Sequence, residues 1–420
     1  MKYKKLNFSW IILLLVVIWG SHLWSCKPAD DESEIYQFKP TVILVSLDGF
    51  RWDYMEKTET PSLDYLAASG VRAEALIPVF PTHTFPNHFT IITGLYPENH
   101  GIVSNRMYDP EFDAFFWIGE DSEPARDGRW YEGEPIWVTT EKQGQISATM
   151  FWPGSDAEIQ GIRPTYWSTY DGSVSNKDRV DTVLTWLALP DSERPTFITL
   201  YFSDVDSWGH YYGPDAPEMD SVIQAMDGTI GMLLDSLRER DYLDDINLIV
   251  ASDHGMTPSS RDQVIFLDDY INLDDVQIVD WTPVAAIRPN EGMEDSIYHA
   301  LAGAHPNLSV YRKNDIPERL FYRNHRRISP FIGIADEGWS ITSHDYFDTH
   351  PSAYTGGTHG YDNRLTSMRG IFIASGPAFK NDLVVESFGN IHIYELICHI
   401  LSLQPAENDG SLDSVVVLLK

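Results

Sequence analysis

Three short runs constrain this chain more than anything else in it: TVILVSLDG (41–49), TFITLYFSDVD (196–206) and INLIVASDHG (246–255). Each is β-branched and apolar without alternation, which predicts strands buried on both faces, as in a parallel sheet covered by helices. Between the second and third runs, Val222, Ile223, Met226, Ile230, Leu233, Leu234 and Leu237 recur at helical spacing, which predicts a strand–helix–strand crossover. Each strand runs into acidic residues at its carboxyl end: Asp48, then Asp204 and Asp206, then Asp253. Open α/β sheets bind ligands outside the carboxyl ends of their strands, so three sets of carboxylates are expected around one crevice. Segment 265–345 holds strand-like PVAAIRP and NLSVYRK around a helical EDSIYHALAGA. It reads as a small β/α lobe inserted before the main sheet resumes at RGIFIASG (369–376).

The amino-terminal region is of another kind. Lys2, Lys4 and Lys5 precede an unbroken apolar run from Trp10 to Trp19, too short to span a bilayer and suited to a signal peptide over 1–25. The leader ends in LWSC (23–26), which is similar to a bacterial lipobox, so Cys26 is the expected lipidation site and mature amino terminus. An acidic tether (26–38, with KPADDESE) follows, readable as a surface-export signal or as a solvated linker; residues 39–420 remain for a catalytic domain. The expectation is an exported lipoprotein anchored to a membrane of the bacterial envelope, with a monomer as the simplest state. With Cys26 acylated only Cys398 is left, in the apolar YELICHIL, where it reads as a buried thiol outside any disulfide.

Charge narrows the partners. Lys and Arg number 30 against 62 Asp and Glu, a net −32 that repels the backbone of long nucleic acids. A small anionic substrate remains compatible if a metal supplies local positive charge. Donors for one are dense at the strand ends: Asp48, Asp206, His210, Asp253, His254 and His359 offer the nitrogen and carboxylate oxygen that zinc takes, in the number a two-metal site needs. A buried carboxylate beside a histidine is costly unless a cation compensates it. Nearby, FPTHTFPNHFT (80–90) carries Pro81 and Pro86 five residues apart, which predicts a loop.

Taken in order, SLDGFR, PTHTFPNHFTIITGLYPENHGIVSNRMYD, WPGSD, YDGSV, DSWGHYYGP, ASDHGMT and THGYDN resemble the ectonucleotide pyrophosphatase/phosphodiesterase family of the alkaline phosphatase superfamily. The likeness runs from Lys39 to the carboxyl terminus, includes IPERLFYR and ADEGW in the lobe, and is to the short members, without cysteine-rich or nuclease-like domains. It implies an α/β, alkaline-phosphatase-like fold: a mostly parallel central sheet with helices on both faces and the small inserted lobe. It also implies two zinc ions, one held by Asp206, His210 and His359, the other by Asp48, Asp253, His254 and the nucleophile Thr84. Thr84 would attack phosphorus to form a threonyl-phosphate ester that is then hydrolysed, releasing a nucleoside 5′-monophosphate. Asn105 and a backbone N–H near Thr84 would hold the developing charge. For the base, the likeness points to stacking by Phe85, Tyr170 and Tyr201, with Trp152, Pro153 and Asp156 nearby. Thr82 and Thr90 are left as structural hydroxyls, and His88 as a hydrogen-bonding loop residue that binds no metal.

There are departures. His83 stands where many nucleotide-cleaving relatives carry a lysine, and substrate contacts are expected to differ there. Val205 and Trp208 replace a proline and a small residue, and Trp208 is expected to narrow the crevice. A choline-headgroup phosphodiesterase is the competing enzyme reading, and the TFPNH form favours nucleotides over it. A sulfatase lacks its Cys-x-Pro-x-Arg or Ser-x-Pro-x-Arg motif here, and a monoesterase would call for an arginine where Asn105 stands. A non-catalytic surface binding lipoprotein predicts a missing ligand or nucleophile, yet all seven positions are filled.

Overall fold

Thr41–Leu47 (β1) is a strand in which every side chain is buried. Val42 and Leu44 share a core with Phe89, Ile393 and Leu396, while Ile43 and Val45, pointing the other way, are equally enclosed. A strand with two dry faces needs partners on both edges and helices on both sides, which is what the unbroken apolar run requires. A computed structural model describes residues 39–420, so the leader, the tether and Cys26 lie outside the described residues.

The remaining strands of the main sheet are β2 (Val71–Ala73), β3 (Ser147–Met150), β4 (Tyr166–Trp167), β5 (Phe197–Phe202), β6 (Ile246–Ala251), β7 (Phe372–Ser375) and β8 (Leu383–Val385). Their order is β8-β2-β7-β6-β1-β5-β3-β4. From β6 to β4 all pairs are parallel; β7 runs antiparallel to β6 and β2. Four helices matter below: α1 (Thr84–Thr93), α2 (Asp204–Tyr212), α3 (Glu218–Glu239) and α4 (Ile393–Ile400). The expected crossover is α2 and α3, and α3 buries Ile223, Met226, Ile230, Leu233, Leu234 and Leu237. Within 265–345 a four-stranded antiparallel sheet is built from Val276–Asp280, Val284–Pro289, Phe331–Ala335 and Leu308–Arg312, with Glu294–Leu301 as its helix. Cys398 is buried in α4, and burial pushes its thiol up to about 12.

One expectation fails here. Residues 84–93 are helical, although two prolines predicted a loop. Pro86 is the third residue of α1, in the first turn, where a backbone N–H has no intrahelical acceptor and its loss costs nothing. The entry is fastened by Asn87. Its Oδ1 accepts the Val79 N–H (2.7 Å), and its Nδ2 donates to the carbonyls of Pro81 (3.1 Å) and His83 (2.9 Å).

The segment after α1 is tied to the lobe by a buried ion pair. Arg327 Nε lies 2.6 Å from Asp109 Oδ2, both side chains fully enclosed, and the guanidinium also donates to the carbonyls of Gly101 and Trp130. Removing one partner strands the other charge, so Asp109→Ala is expected to cost about 3–5 kcal/mol. The midpoint of denaturant unfolding measures it, and a shift below about 1 kcal/mol would show the pair to be dispensable.

Candidate metal centre and aromatic cavity

Because β6, β1 and β5 are parallel neighbours, their carboxyl ends lie side by side. After β1, Asp48 is followed by Gly49 at φ +68°, where a side chain is strained and a Cβ would sit 2.9 Å from the Cα of Asp206. The Gly49 N–H donates to Asp253 Oδ1 (3.1 Å). After β5, α2 starts at once and sets Asp206 and His210 one turn apart on one face. After β6 come Asp253 and His254, and His359 arrives beyond the lobe.

Two groups result, Asp206–His210–His359 and Asp48–Asp253–His254; in each, three ligand atoms lie within 4.8 Å of one another. All three histidines are oriented the same way. Nδ1 of His210 faces the Gly357 carbonyl (2.8 Å), that of His359 the Thr82 carbonyl (2.8 Å) and that of His254 the Gly255 carbonyl (2.9 Å). A carbonyl can only accept, so each Nδ1 carries the proton and each Nε2 presents its lone pair to the group, as in histidine ligation of metals.

The carboxylates complete the test of fit. Asp48 Oδ1, Asp206 Oδ1 and Asp253 Oδ2 are buried without a hydrogen-bond partner, and these are the oxygens nearest the Nε2 atoms: 3.4 Å for Asp48–His254, 3.0 Å for Asp253–His254, 3.5 and 3.6 Å for Asp206 with His210 and His359. Orphaned carboxylate oxygens facing bare nitrogen lone pairs are a donor set for a cation. Without one the charges conflict. Burial, then the neighbouring Asp253 and Asp206, raise Asp48 well above the usual carboxylate range, against the Tyr201 hydroxyl that donates to its Oδ2 (2.5 Å).

Thr84 opens α1, with its Oγ1 3.3 Å from His254 Nε2. The amino end of a ten-residue helix favours negative charge. His88, one turn on, contacts Ser46 Oγ (2.7 Å), the Thr84 carbonyl (2.9 Å) and Asp253 Oδ2 (3.2 Å), so it is a helix residue that orients Thr84 and borders the Asp48 group without being one of its members. Thr82 donates to the Tyr361 carbonyl and Thr90 to that of Leu95, both structural.

From Thr84, Asp48 and Asp206 a cavity of about 280 Å³ opens outward, walled by Phe85, Trp152, Pro153, Asp156, Tyr170 and Tyr201. Ile118, Ser122 and Arg126 also line it; sequence reasoning missed them, since they sit in irregular chain with no periodicity to flag. Tyr201 has a second role, holding Asp48 through its hydroxyl. His83 stands apart from the cavity, and one expectation, at Trp208, needs correction. His83 does not line this cavity; it is 6 % exposed and packs edge-on against His359 at 6.0 Å, because the extended backbone before α1 turns it away from Phe85. Burial, with His254 and His210 near, pushes its pKa down to about 3. Trp208 does not narrow the crevice: it lies across α2 from Asp206, stacks on Tyr212 and is 44 % exposed. Asn105 is beside Thr84 as expected, its Oδ1 accepting the Phe85 N–H (2.9 Å), which aligns the side chain and occupies that amide.

Residues 42–362 match the family described as Type I phosphodiesterase / nucleotide pyrophosphatase. Human ectonucleotide pyrophosphatase/phosphodiesterase family member 5 is 42% identical over 380 residues, which cover 90% of this chain and 78% of that protein. The bis(5'-adenosyl)-triphosphatase enpp4 of Mus musculus is 39% identical, over 98% of this chain and 87% of its own. Among solved structures, an inactive threonine-to-alanine variant of murine ectonucleotide pyrophosphatase/phosphodiesterase 5, in complex with AMP, superposes with a TM-score of 0.87 at 41% identity, covering 91% of this chain and all of that one. The chain therefore belongs to the ectonucleotide pyrophosphatase/phosphodiesterase family, with the α/β fold of the alkaline phosphatase superfamily.

Proposed function

We propose that this crevice hydrolyses phosphodiester and pyrophosphate bonds of nucleotides, with Thr84 as nucleophile, and releases nucleoside 5′-monophosphates. The observation that carries the reading is the position of Thr84 Oγ1, where an aromatic cavity meets two groups of unpartnered carboxylate oxygens and bare imidazole nitrogens. Two zinc ions are the proposed cofactors: one on Asp206, His210 and His359, one on Asp48, Asp253, His254 and Thr84. Bound there, zinc supplies positive charge that lowers the pKa of the threonine hydroxyl and of water and offsets charge on the phosphoryl group.

The chain's own residues do the rest. Phe85 and Tyr170 flank the base, and the cavity fixes the nucleoside half so that phosphorus lies at Thr84. The free Nδ2 of Asn105 is available to an equatorial phosphate oxygen, since Oδ1 is taken by Phe85. His88 holds the Thr84 carbonyl and Tyr201 holds Asp48, so both reacting centres keep their orientation. Thr84 Oγ1 attacks in line, the P–O bond to the leaving group breaks, and water cleaves the resulting ester, returning Thr84.

The zinc-loaded protein should hydrolyse the nitrophenyl ester of thymidine monophosphate in preference to nitrophenyl phosphate and nitrophenyl phosphorylcholine. Preference for the monoester would sink the reading, and preference for the choline ester would replace it with a headgroup phosphodiesterase. Stacking is worth about 1–3 kcal/mol per base, so Tyr170→Ala is expected to lower kcat/KM on the thymidine ester roughly 5- to 150-fold and to leave the choline ester nearly untouched. Equal losses on both would show Tyr170 to be structural.

For location we propose an exported lipoprotein held to the membrane through Cys26. The basic start, short apolar run and LWSC support it. Labelled palmitate should enter the wild type and not Cys26→Ser, whose product should leave the membrane fraction; unchanged labelling would refute it.

A further inference from the structure

His83 belongs to a chain of three side chains that the catalytic reading does not use. Its Nδ1 lies 3.0 Å from Ser104 Oγ, and that Oγ lies 2.7 Å from Oδ2 of Asp280, the last residue of the lobe's strand Val276–Asp280. The protons can be placed one by one. Asp280 accepts the Trp281 N–H on its other oxygen (3.0 Å), and burial raises its pKa only to about 6, so above neutrality it is a carboxylate that can only accept. The single hydroxyl proton of Ser104 therefore goes to Asp280. Ser104 Oγ is then an acceptor toward His83, and Nδ1 must be protonated. A neutral ring protonated at Nδ1 has a bare lone pair at Nε2.

That Nε2 has no hydrogen-bond partner among the described residues and is not sealed from solvent. It abuts Gly360, where a Cβ would sit 2.4 Å from it, so the ring fills room that only a glycine leaves beside His359. Phe85 and Tyr170 wall the cavity, whereas His83 packs against His359 and Gly360 and is not among its walls. With the nucleoside half in that cavity, the leaving half is the part of a substrate that remains to meet His83.

We propose that Ser104 and Asp280 are positioning residues that lock His83 as its Nδ1–H tautomer, so that Nε2 selects leaving groups bearing a hydroxyl over those bearing a terminal phosphate. The inference rests on the phosphodiesterase reading and names the substrate class within it. A hydroxyl donates to the lone pair; phosphate oxygens are themselves acceptors and are left unpaired or repelled there.

Zinc-loaded protein at mildly alkaline pH tests this with three substrates. A ribodinucleoside monophosphate has a 2′-hydroxyl beside the scissile oxygen of its leaving nucleoside, ATP loses pyrophosphate, and the nitrophenyl ester of thymidine monophosphate provides an internal scale. On that scale the wild type should favour the dinucleotide over ATP in kcat/KM by about tenfold. Asp280→Asn is nearly isosteric. With the Trp281 N–H holding the amide oxygen, its NH₂ donates to Ser104, Ser104 donates to His83, and the ring proton moves to Nε2. The dinucleotide-to-ATP ratio should fall about tenfold in this variant, and Ser104→Ala should reduce the preference without reversing it. ¹⁵N-histidine NMR, with His83→Gln to assign the ring, should report Nδ1–H in the wild type and Nε2–H in Asp280→Asn. A ratio unmoved by Asp280→Asn, or Nε2–H in the wild type, overturns the inference while leaving the phosphodiesterase reading intact. Turnover of none of the three substrates by the wild type overturns both.

Discussion

Thr84→Ala is expected to lower kcat at least about ten-thousand-fold while the protein keeps its fold and its zinc. The hydroxyl and the γ-methyl are removed together, and no hydrogen bond that holds α1 in place runs through either: the entry is fastened by Asn87 and the carbonyl of residue 84 by His88. The one hydrogen bond of the hydroxyl among the described residues is with His254 Nε2, a nitrogen of the Asp48 group, so the loss falls on the reacting atom. Residual rate would come from charge stabilisation and substrate positioning, which survive the change. Steady-state hydrolysis of the thymidine ester with elemental analysis for zinc measures both sides. A variant that retained zinc and near wild-type turnover would show Thr84 not to be the nucleophile.

Metal removal is the second large effect. Chelation should abolish turnover and lower the melting temperature, and zinc should restore both. At a free concentration a hundredfold above its dissociation constant an ion bound only by the folded state adds about 2.7 kcal/mol, so two filled sites would add about 5 kcal/mol. The pH dependence has a definite sign. In the metal-free protein Asp48 is raised well above its ordinary value by burial and by Asp253 and Asp206. A raised carboxyl stabilises the fold when protonated and loses that contribution as pH rises through its folded pKa. The contribution of Asp48 to the metal-free fold should therefore fall from acidic toward neutral pH, and the gain in melting temperature on adding zinc should grow over the same range in the wild type and not in Asp48→Asn. A zinc-induced gain that shrank with rising pH, or no gain at all, would contradict the assignment of Asp48 to a cation.

Much of this was legible in the chain. Unalternating β-branched runs reported β1, β5 and β6, and Asp48, Asp206 and Asp253 lay together because parallel neighbours end on the same edge, while Asp204 turns to Asn176 instead. Ligand residues adjoining strand ends are read easily, since the strand itself fixes where they go. The start of α1 was hidden because Pro81 and Pro86 are breakers in most contexts, and only the helical phase reveals that Pro86 falls in a first turn. Arg126 and Ser122 come from chain without periodicity, so no pattern could assign them to the cavity wall. The Ser104–Asp280 link joins positions 176 apart, a pairing that tertiary structure alone creates.

Gly49 has a consequence for how the two ligand groups can change. Its Cα lies against the main chain at Asp206, its N–H holds Asp253, and it follows Asp48 directly. The separation of the two groups is thus set by backbone meeting backbone, a spacing that side-chain substitutions cannot retune in small steps. Any attempt to widen the centre for a larger ion or a bulkier phosphoryl group would have to move two strands together, so evolution and engineering alike are steered toward the cavity walls, where single replacements act independently.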